Sequence, residues 1–231
     1  MRRLLVVLVG LTVLAPAADH AQRSQSGRGT RYVYLIRHGF YTPRNDVDDR
    51  LGNDLDSLGR EQARRIGERL AALPVRIDTL VSSDFMRARQ TADIIGKVLE
   101  KTPGRDSLIR ECSPGSDRPD LLKYRSDEDT RSCEDQLRAA WTRYMRPSPD
   151  ADSHDVLVCH GNVIRWFVTR ALGADTRRWA NMEIANASIT IIQMRSDGST
   201  RLVTFSDAGH LPASLQTWTG RGAGWGRARP Q

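Results

Sequence analysis

The sequence predicts an α/β fold in three layers, with a mostly parallel sheet flanked by helices and a C-terminal hairpin. Short apolar runs rich in β-branched residues alternate with longer amphipathic segments, an order typical of parallel sheets. The last two runs, within residues 187–207, are joined by Asp197-Gly198, a dipeptide that favours a hairpin turn. The chain has 231 residues, of which 27% are charged and 6% aromatic, so we expect one domain with a substantial core.

The first 21 residues differ from the rest and predict a signal peptide. Two arginines precede an apolar run over residues 4–14, and a small-residue Ala-Pro-Ala site follows it. The run is too short to cross a bilayer comfortably, so an uncleaved membrane anchor is the weaker alternative. We therefore expect a periplasmic or secreted protein without stable membrane insertion after cleavage. The predicted parts that follow are a flexible leader (22–30), the folded domain (31–214) and a flexible tail (215–231).

The domain begins with a predicted strand, loop and helix. Residues 32–36 are aromatic or β-branched and predict a buried strand. Residues 40–54 contain proline, asparagine, glycine and several aspartates, which favour a loop. Apolar or small residues then recur at helical spacing over residues 56–73, with Asp56 or Ser57 as the expected cap.

The next predicted elements are a strand, a helix and a short third strand. Residues 77–83 are apolar and bounded by polar residues, which predicts the second strand. Residues 83–100 have helical periodicity, and Ser83 or Asp84 is the expected cap of that helix. A shorter apolar stretch over residues 106–112 predicts the third strand.

The second half of the domain starts with an irregular region and ends with the hairpin. Residues 113–131 are rich in proline, aspartate, serine and arginine, so we expect an irregular cap over the sheet edge. Residues 133–145 predict a helix. Residues 154–172 predict a strand, a sharp turn and a helix, which ends at a glycine.

Charge and composition argue against several kinds of site. The formal net charge is +7, and the basic residues are spread along the chain, which favours a solvated surface that attracts anionic partners. No basic motif interleaved with aromatic residues occurs, so we expect no nucleic-acid partner. His20, His154 and His210 have no partners at ligand spacing, and neither HExxH nor Cys-x-x-Cys occurs. We therefore expect no metal and no cofactor.

Three cysteines predict one bridge and one free thiol. Cys112 and Cys133 lie in or beside the irregular region, and we hypothesise that they form a disulfide. Cys159 ends an apolar predicted strand, where a small buried thiol is the usual interpretation.

Reactive side chains cluster at the ends of the predicted strands. The first strand ends at Arg37 and His38, and the strand before the sharp turn ends at His160. Arg87 follows the second strand, and Glu111 lies at the end of the third. Because sites in parallel sheets form outside the carboxyl ends of the strands, we expect all five side chains at one rim.

These residue types suit phosphoryl transfer. A neutral imidazole at His38 is a competent nucleophile when a backbone carbonyl near Gly39 fixes its tautomer. Glycine at that position also allows another backbone to approach closely. Arg37 and Arg87 suit the phosphoryl oxygens because guanidinium groups bind phosphate bidentately.

Other predicted site residues complete the pocket. His160 is expected to donate a further hydrogen bond to the phosphoryl group. Glu111 is expected to protonate the leaving oxygen, and then to activate water, if its surroundings raise its pKa. Asn162 either binds the phosphate or shapes the turn after His160, and both roles stay open. Tyr41 and Arg44 are expected to bind substrate together with the cap region.

Four motifs in order resemble branch 1 of the histidine phosphatase superfamily, which has a phosphoglycerate-mutase-like fold: RHG, SSDFMRARQTA, LIRE and CHGNVIR. The second fits the family pattern S-D-x-x-R-A-x-Q-T-A at every fixed position. The resemblance implies that His38 is the phosphorylated residue and Glu111 the proton donor. It also implies that Arg37, Arg87 and His160 form the phosphate pocket.

Further features narrow the resemblance within the family. Gly161, where the acid-phosphatase and phytase branch has aspartate, argues against that branch. The stretches LIRHGFY, CHGNVIRWFVTRAL, NASIT and DAGHLP look like the mitochondrial serine/threonine protein phosphatases of the family. The leader lacks the Trp-Asp-rich motif associated with that group, which argues against large rings and leaves a homodimer open.

Together these features predict a metal-independent phosphomonoesterase that works through a phosphohistidine at His38. The resemblance implies a phosphorylated protein as the first choice of substrate. Phosphorylated sugars or lipids of the cell envelope are the alternative. Two other classes stay open: a catalytically idle phosphate-binding scaffold, and a protein that binds an anionic polymer through its basic surface.

Overall fold

A computed structural model describes residues 29–218, which form a six-stranded mixed sheet between helices. The strands are β1 Arg31–Arg37, β2 Thr79–Ser82, β3 Gly104–Arg105, β4 Ser153–Cys159, β5 Ile189–Met194 and β6 Thr200–Asp207. Their order across the sheet is β3-β2-β4-β1-β5-β6. Strands β1 to β4 are parallel, β5 is antiparallel to β1, and β6 is antiparallel to β5. The mostly parallel sheet and the terminal hairpin are thus confirmed.

Helices cover both faces of this sheet. The α-helices of the described region are α1 Ser57–Ala71, α2 Met86–Leu99, α3 Asp127–Tyr144 and α4 Gly161–Ala171. Successive side chains of β1 point to opposite faces. Val33 and Leu35 join the core cluster that α3 and α4 contribute to. Tyr34 and Ile36 join the cluster of α1 and α2, so the three-layer prediction is confirmed.

The predicted third strand over residues 106–112 is wrong. The strand β3 is confined to two residues upstream, and Ser107–Ile109 forms a short 3₁₀ helix. The Asp106 side chain accepts the Leu108 N–H at 2.9 Å, a local bond that favours this turn over an extended ladder. Glu111 therefore reaches the sheet edge on a loop and not on the end of a strand.

Two helix starts also differ from the sequence prediction. Helix α3 begins earlier, because Ser126 and Asp129 exchange side-chain and backbone hydrogen bonds as a capping box. Helix α2 begins later, and neither Ser83 nor Asp84 caps it. The Ser83 hydroxyl instead faces the candidate site, and Asp84 pairs with Arg110.

The hypothesised bridge between Cys112 and Cys133 is confirmed, with the Cα atoms 5.6 Å apart. It joins the loop after Glu111 to α3. Cys159 is the free, buried thiol predicted at the end of β4. Closing a loop of this size is worth about 3 kcal/mol of stability. The bridge therefore fixes the loop that carries Glu111.

The predicted signal peptide over residues 1–21 lies outside the described residues, as do most of the leader and the end of the tail. Gly29 forms a bridge with Ser148, and Trp218 forms one with Ala185, so backbone pairing continues just beyond the predicted domain boundaries. No helix in the described part of the chain is both long and apolar enough to cross a bilayer.

Candidate active site

Two buried histidines follow neighbouring parallel strands. Arg37, the last residue of β1, is in register with Cys159, the last residue of β4, so the next residues are His38 and His160. The His38 N–H donates to the Cys159 carbonyl oxygen at 3.1 Å. The imidazole centroids are 5.1 Å apart, and both side chains are buried. The sheet therefore brings the two predicted histidines together.

The ring of His38 is fixed in one tautomer. Its Nδ1 lies 2.8 Å from the Gly39 carbonyl oxygen, which can only accept, so Nδ1 carries the proton. Nε2 is left with a lone pair, to which the Arg87 Nε–H donates at 3.2 Å. Burial lowers the pKa of His38 well below its usual value, and the cations Arg87 and Arg37 lower it further. A neutral imidazole with a nucleophilic Nε2 results.

Gly39 provides both the carbonyl and the space that this arrangement needs. Its N–H donates to the Thr91 hydroxyl of α2 at 3.0 Å. A Cβ at Gly39 would lie 2.4 Å from the carbonyl oxygen of Gly59 in α1, closer than side-chain carbons approach. The close approach predicted from the sequence is therefore present. The main chain of Gly39 thus packs between α1 and α2.

Arg87 is buried in the first turn of α2, where free backbone amides favour an anion. Its guanidinium carbon lies 4.7 Å from the centroid of the Tyr41 ring and 5.1 Å from that of Phe85. Its Nη1 pairs with Asp49 Oδ1 at 2.5 Å. Two rings and a carboxylate thus hold Arg87 against His38. Tyr41 lies beside His38 and Arg87, and its role in binding substrate stays a prediction.

Arg37 is the last residue of β1, directly before His38, and its side chain is also buried. Its Nη1 donates to the Ile184 carbonyl oxygen at 2.5 Å. A Cβ at Gly161 would lie 3.6 Å from its Nε, so the guanidinium group sits against the start of α4. Burial lowers the pKa of Arg37 to about 10, which still leaves it cationic at neutral pH. A second fixed cation therefore faces the histidines.

His160 contacts a residue from a third strand end. Its Nε2 lies 2.8 Å from the hydroxyl of Ser83, which follows β2. Its buried Nδ1 makes no hydrogen bond to another described residue. Burial lowers the pKa of His160 well below its usual value, and His38 and the two arginines lower it further. One ring nitrogen is thus anchored and the other can meet a ligand.

Glu111 reaches the same rim on its loop. Its Oε1 accepts the backbone N–H of Asn162 at 3.2 Å, at the start of α4. Burial raises the pKa of Glu111, while Arg165, Arg37 and Arg87 act in the opposite direction. The raised pKa favours a protonated carboxyl group, which is the form that a proton donor requires.

Asn162 connects Glu111 to its surroundings instead of facing the histidines. Its Nδ2 donates to the Cys112 carbonyl oxygen at 2.9 Å, and its Oδ1 accepts from Arg165 Nη2 at 2.6 Å. The Arg165 guanidinium carbon lies 4.7 Å from the centroid of the Trp179 ring. Of the two roles left open by the sequence, these contacts favour the shaping of the turn.

Arg44 is the one predicted site residue that the described structure leaves outside the cluster. Its side chain is 63% exposed and pairs with Asp46 at 2.8 Å. The two residues are neighbours on the loop surface, where this local ion pair satisfies the guanidinium group. The prediction that Arg44 binds substrate is therefore not supported by its position.

The structure adds Asp49, Ser83 and Arg165 to the residues identified from the sequence. Asp49 is one of several aspartates in its loop, so no sequence signal distinguishes it. The sequence predicts Ser83 only as a helix cap. Its position in the motif SSDFMRARQTA could have identified it as a site residue. Arg165 occurs in the motif CHGNVIR, but only the folded contacts connect it to Glu111.

A cavity of about 350 Å³ adjoins Glu111. Its walls come from the loop with the disulfide, the first turns of α3, Phe85 and Asp49. Among the described residues, no group of three or more His, Cys, Asp or Glu side chains is placed to hold a metal ion. The cavity provides room for a leaving group beside the proposed proton donor.

Comparison with known families agrees with this site. The family model of the histidine phosphatase superfamily, branch 1, matches residues 33–151 and 116–208. The chain belongs to branch 1 of the histidine phosphatase superfamily. The matched residues include the two histidines, the two arginines and the glutamate of the site, so the resemblance stated from the motifs is confirmed.

Curated relatives of this histidine phosphatase include mitochondrial serine/threonine-protein phosphatases named PGAM5. The protein of Xenopus tropicalis is 34% identical over 190 residues, which are 80% of this chain and 67% of the relative. The protein of Homo sapiens is 35% identical over 210 residues, 86% of this chain and 68% of the relative. The chain is thus a metal-independent phosphomonoesterase that works through a phosphohistidine.

Solved structures of other proteins share the fold. Phosphoglycerate mutase from Plasmodium falciparum has a TM-score of 0.56 and 25% identity, covering 80% of this chain and 95% of that one. Mycobacterial glucosyl-3-phosphoglycerate phosphatase has a TM-score of 0.55 and 23% identity, covering 78% and 100%. At 23% identity, the likeness to the mycobacterial phosphatase supports a shared fold and nothing further.

The predicted periplasmic or secreted location is wrong. The relatives that match most of the chain are named as mitochondrial proteins and not as exported ones. The prediction depended on residues 1–21, which lie outside the described residues. The alternative that the substrates are phosphorylated sugars or lipids of the cell envelope depended on that location, so it is not supported.

Proposed function

We propose that this histidine phosphatase removes phosphate from phosphoserine and phosphothreonine in proteins, with His38 as the nucleophile. One observation carries the role of His38: its proton is held on Nδ1 by the Gly39 carbonyl, and the lone pair of Nε2 faces the Arg87 guanidinium. The relatives named as serine/threonine-protein phosphatases support this class of substrate.

The phosphoryl group would occupy the space between the two histidines and the two arginines. Arg37 and Arg87 are both buried and supply fixed positive charge, and guanidinium groups match phosphoryl oxygens geometrically. The unoccupied Nδ1 of His160 is available for a third contact, because Ser83 engages the other nitrogen. Such preorganised groups stabilise the charge that develops during transfer without rearranging.

In the first step, the Nε2 lone pair of His38 attacks phosphorus and the bond from phosphorus to the seryl or threonyl oxygen breaks. The Glu111 carboxyl group gives its proton to that leaving oxygen, so the product is a neutral alcohol. The Nδ1 proton stays on the hydrogen bond to Gly39. The raised pKa of Glu111 favours the protonated form at the start of this step.

In the second step, water attacks the phosphorus of phosphohistidine. The Glu111 carboxylate accepts a proton from this water while the phosphorus–nitrogen bond breaks. Neutral His38, protonated Glu111 and inorganic phosphate result, which restores the starting state. One carboxyl group therefore serves as acid in the first half and as base in the second.

A panel of phosphorylated compounds tests the proposal. Peptides with phosphoserine, phosphothreonine or phosphotyrosine are compared with glucose 6-phosphate and 3-phosphoglycerate, using wild type and His38→Asn. We expect kcat/KM for the phosphoserine and phosphothreonine peptides to exceed that for the small phosphates. We also expect a loss of about 10³-fold or more in His38→Asn, because no other described group replaces the nucleophile.

The two parts of the proposal fail separately. A higher kcat/KM for the sugar phosphate or for phosphoglycerate would overturn the protein substrate and leave the nucleophile standing. Turnover by His38→Asn at the wild-type rate would overturn the nucleophile. Release of phosphate by neither protein would support the idle scaffold.

A further inference from the structure

The Asp49 carboxylate contacts one of the two arginines of the proposed phosphate pocket. Asp49 Oδ1 pairs with Nη1 of Arg87 at 2.5 Å, and the Arg87 side chain is only 4% exposed. The same guanidinium group donates through Nε to His38 Nε2, the atom proposed to attack phosphorus. One arginine thus contacts both the nucleophile and an acidic side chain.

Hydrogen bonds within the loop and to α2 fix the position of the Asp49 carboxylate. The Asp49 carbonyl oxygen accepts the Met86 N–H at 2.7 Å, which fixes the loop to the first residue of α2. Asn53 Nδ2 donates to Asp49 Oδ1 at 2.6 Å. Asn53 itself has a φ of 61°, a left-handed conformation that asparagine tolerates, and its Oδ1 accepts the Arg44 N–H. Backbone and side-chain bonds therefore both set the position of Asp49.

The carboxylate changes the charge that a phosphate ion meets. The histidines are neutral, so Arg37 and Arg87 supply positive charge beside the proposed phosphoryl position. Asp49 pairs with one of them, and it also lines the cavity beside Glu111. An anion bound between the arginines would share Arg87 with Asp49. Two like charges on one buried guanidinium group repel each other.

We propose that Asp49 competes with phosphate for Arg87 and so weakens the binding of inorganic phosphate, the product. This inference rests on the proposed function, because it assumes that the phosphoryl group occupies the pocket beside His38. Weak binding of the product keeps the site free for the next substrate. Neutralising Asp49 should therefore strengthen product inhibition.

Calorimetric titration with inorganic phosphate at pH 7.5 tests this directly. Wild type is compared with Asp49→Asn, which keeps the shape and an oxygen acceptor but removes the charge. Asp48→Asn is the matched control, because Asp48 pairs with Arg50 on the surface one residue away. We expect Asp49→Asn to bind phosphate about tenfold more tightly and Asp48→Asn to stay within about twofold of wild type. The inhibition constant of phosphate against p-nitrophenyl phosphate should fall in parallel.

Unchanged or weaker phosphate binding in Asp49→Asn would overturn the inference, since that result is expected if Asp49 merely orients Arg87. Thermal unfolding verifies that each variant is folded, and Asp49→Ser replaces Asp49→Asn if the latter is not. Because calorimetry needs no turnover, its result is independent of the His38→Asn assay. Full activity in His38→Asn would thus reject the proposed nucleophile, whereas a failed titration rejects only the role of Asp49.

Discussion

His38 and His160 face each other with ring centroids 5.1 Å apart, because each follows one of two parallel neighbouring strands in register. Uptake of a second proton, which would form an imidazolium cation, is unfavourable for both rings in this position. Burial is the main cause of the lowered pKa of both, and nearby cations add to it. The register of two strands therefore places two neutral imidazoles side by side.

The lowered pKa of His38 predicts activity in moderately acidic solution. The nucleophilic form is the deprotonated one, so it persists at every pH above the pKa of His38. A histidine with an ordinary pKa would lose its neutral, nucleophilic form below about pH 6.5, whereas His38 should stay neutral well below that value. Single-turnover phosphorylation rates, corrected for ionisation of the substrate, should show this. An acid limb at or above pH 6.5 would contradict it.

Glu111→Gln should separate substrates by their leaving groups. Glutamine cannot donate the proton, so hydrolysis of phosphoserine peptides should fall by about 10²–10⁴-fold. The rate of hydrolysis of p-nitrophenyl phosphate should fall far less, because p-nitrophenolate leaves without protonation. Activity of wild type on the peptides should decline as the pH rises through the raised pKa of Glu111, and Glu111→Gln should lack this limb.

The control for that experiment is Glu128→Gln, a carboxylate exposed in the first turn of α3. It should behave as wild type with both classes of substrate. Equal losses on peptides and p-nitrophenyl phosphate in Glu111→Gln would argue that this residue is not the proton donor.

Gly59→Ala should destabilise the fold through backbone contact. A Cβ at Gly59 would lie 2.0 Å from the Phe40 carbonyl oxygen, and the backbone there cannot move without displacing the end of β1. We expect a loss of about 1–3 kcal/mol or more in urea unfolding. Gly104→Ala is the matched control, since its Cβ would have no neighbour closer than 3.7 Å. Similar unfolding midpoints for both variants would exclude this explanation.

Removing the bridge should lower the free energy of unfolding. The double variant Cys112→Ser, Cys133→Ser frees a loop of 21 residues, which predicts a loss of about 3 kcal/mol. Activity on phosphoserine peptides should fall more than activity on p-nitrophenyl phosphate, because the bridge holds the loop of Glu111. Thiol counting of unreduced, denatured wild type should find only Cys159; three thiols would show that the bridge does not form.

Local patterns predicted the strands and their ends, and therefore most of the site. The runs before His38 and His160 are continuous and apolar, and parallel strands bring such ends to one rim by topology alone. The strand prediction for residues 106–112 failed because a side-chain hydrogen bond to Asp106 outweighs a weak strand pattern. Asp49 could not be predicted, because its selection among several aspartates depends on the contact of a loop with a distant helix.

The most direct test of the account is to trap the phosphorylated enzyme. Wild type is mixed with a radiolabelled phosphoserine peptide, quenched in base within one turnover and mapped by mass spectrometry. We predict an acid-labile, base-stable phosphate on His38 and none in His38→Asn. Label on any other residue, or turnover by wild type without a phosphorylated intermediate, would contradict the assignment of His38 as the nucleophile.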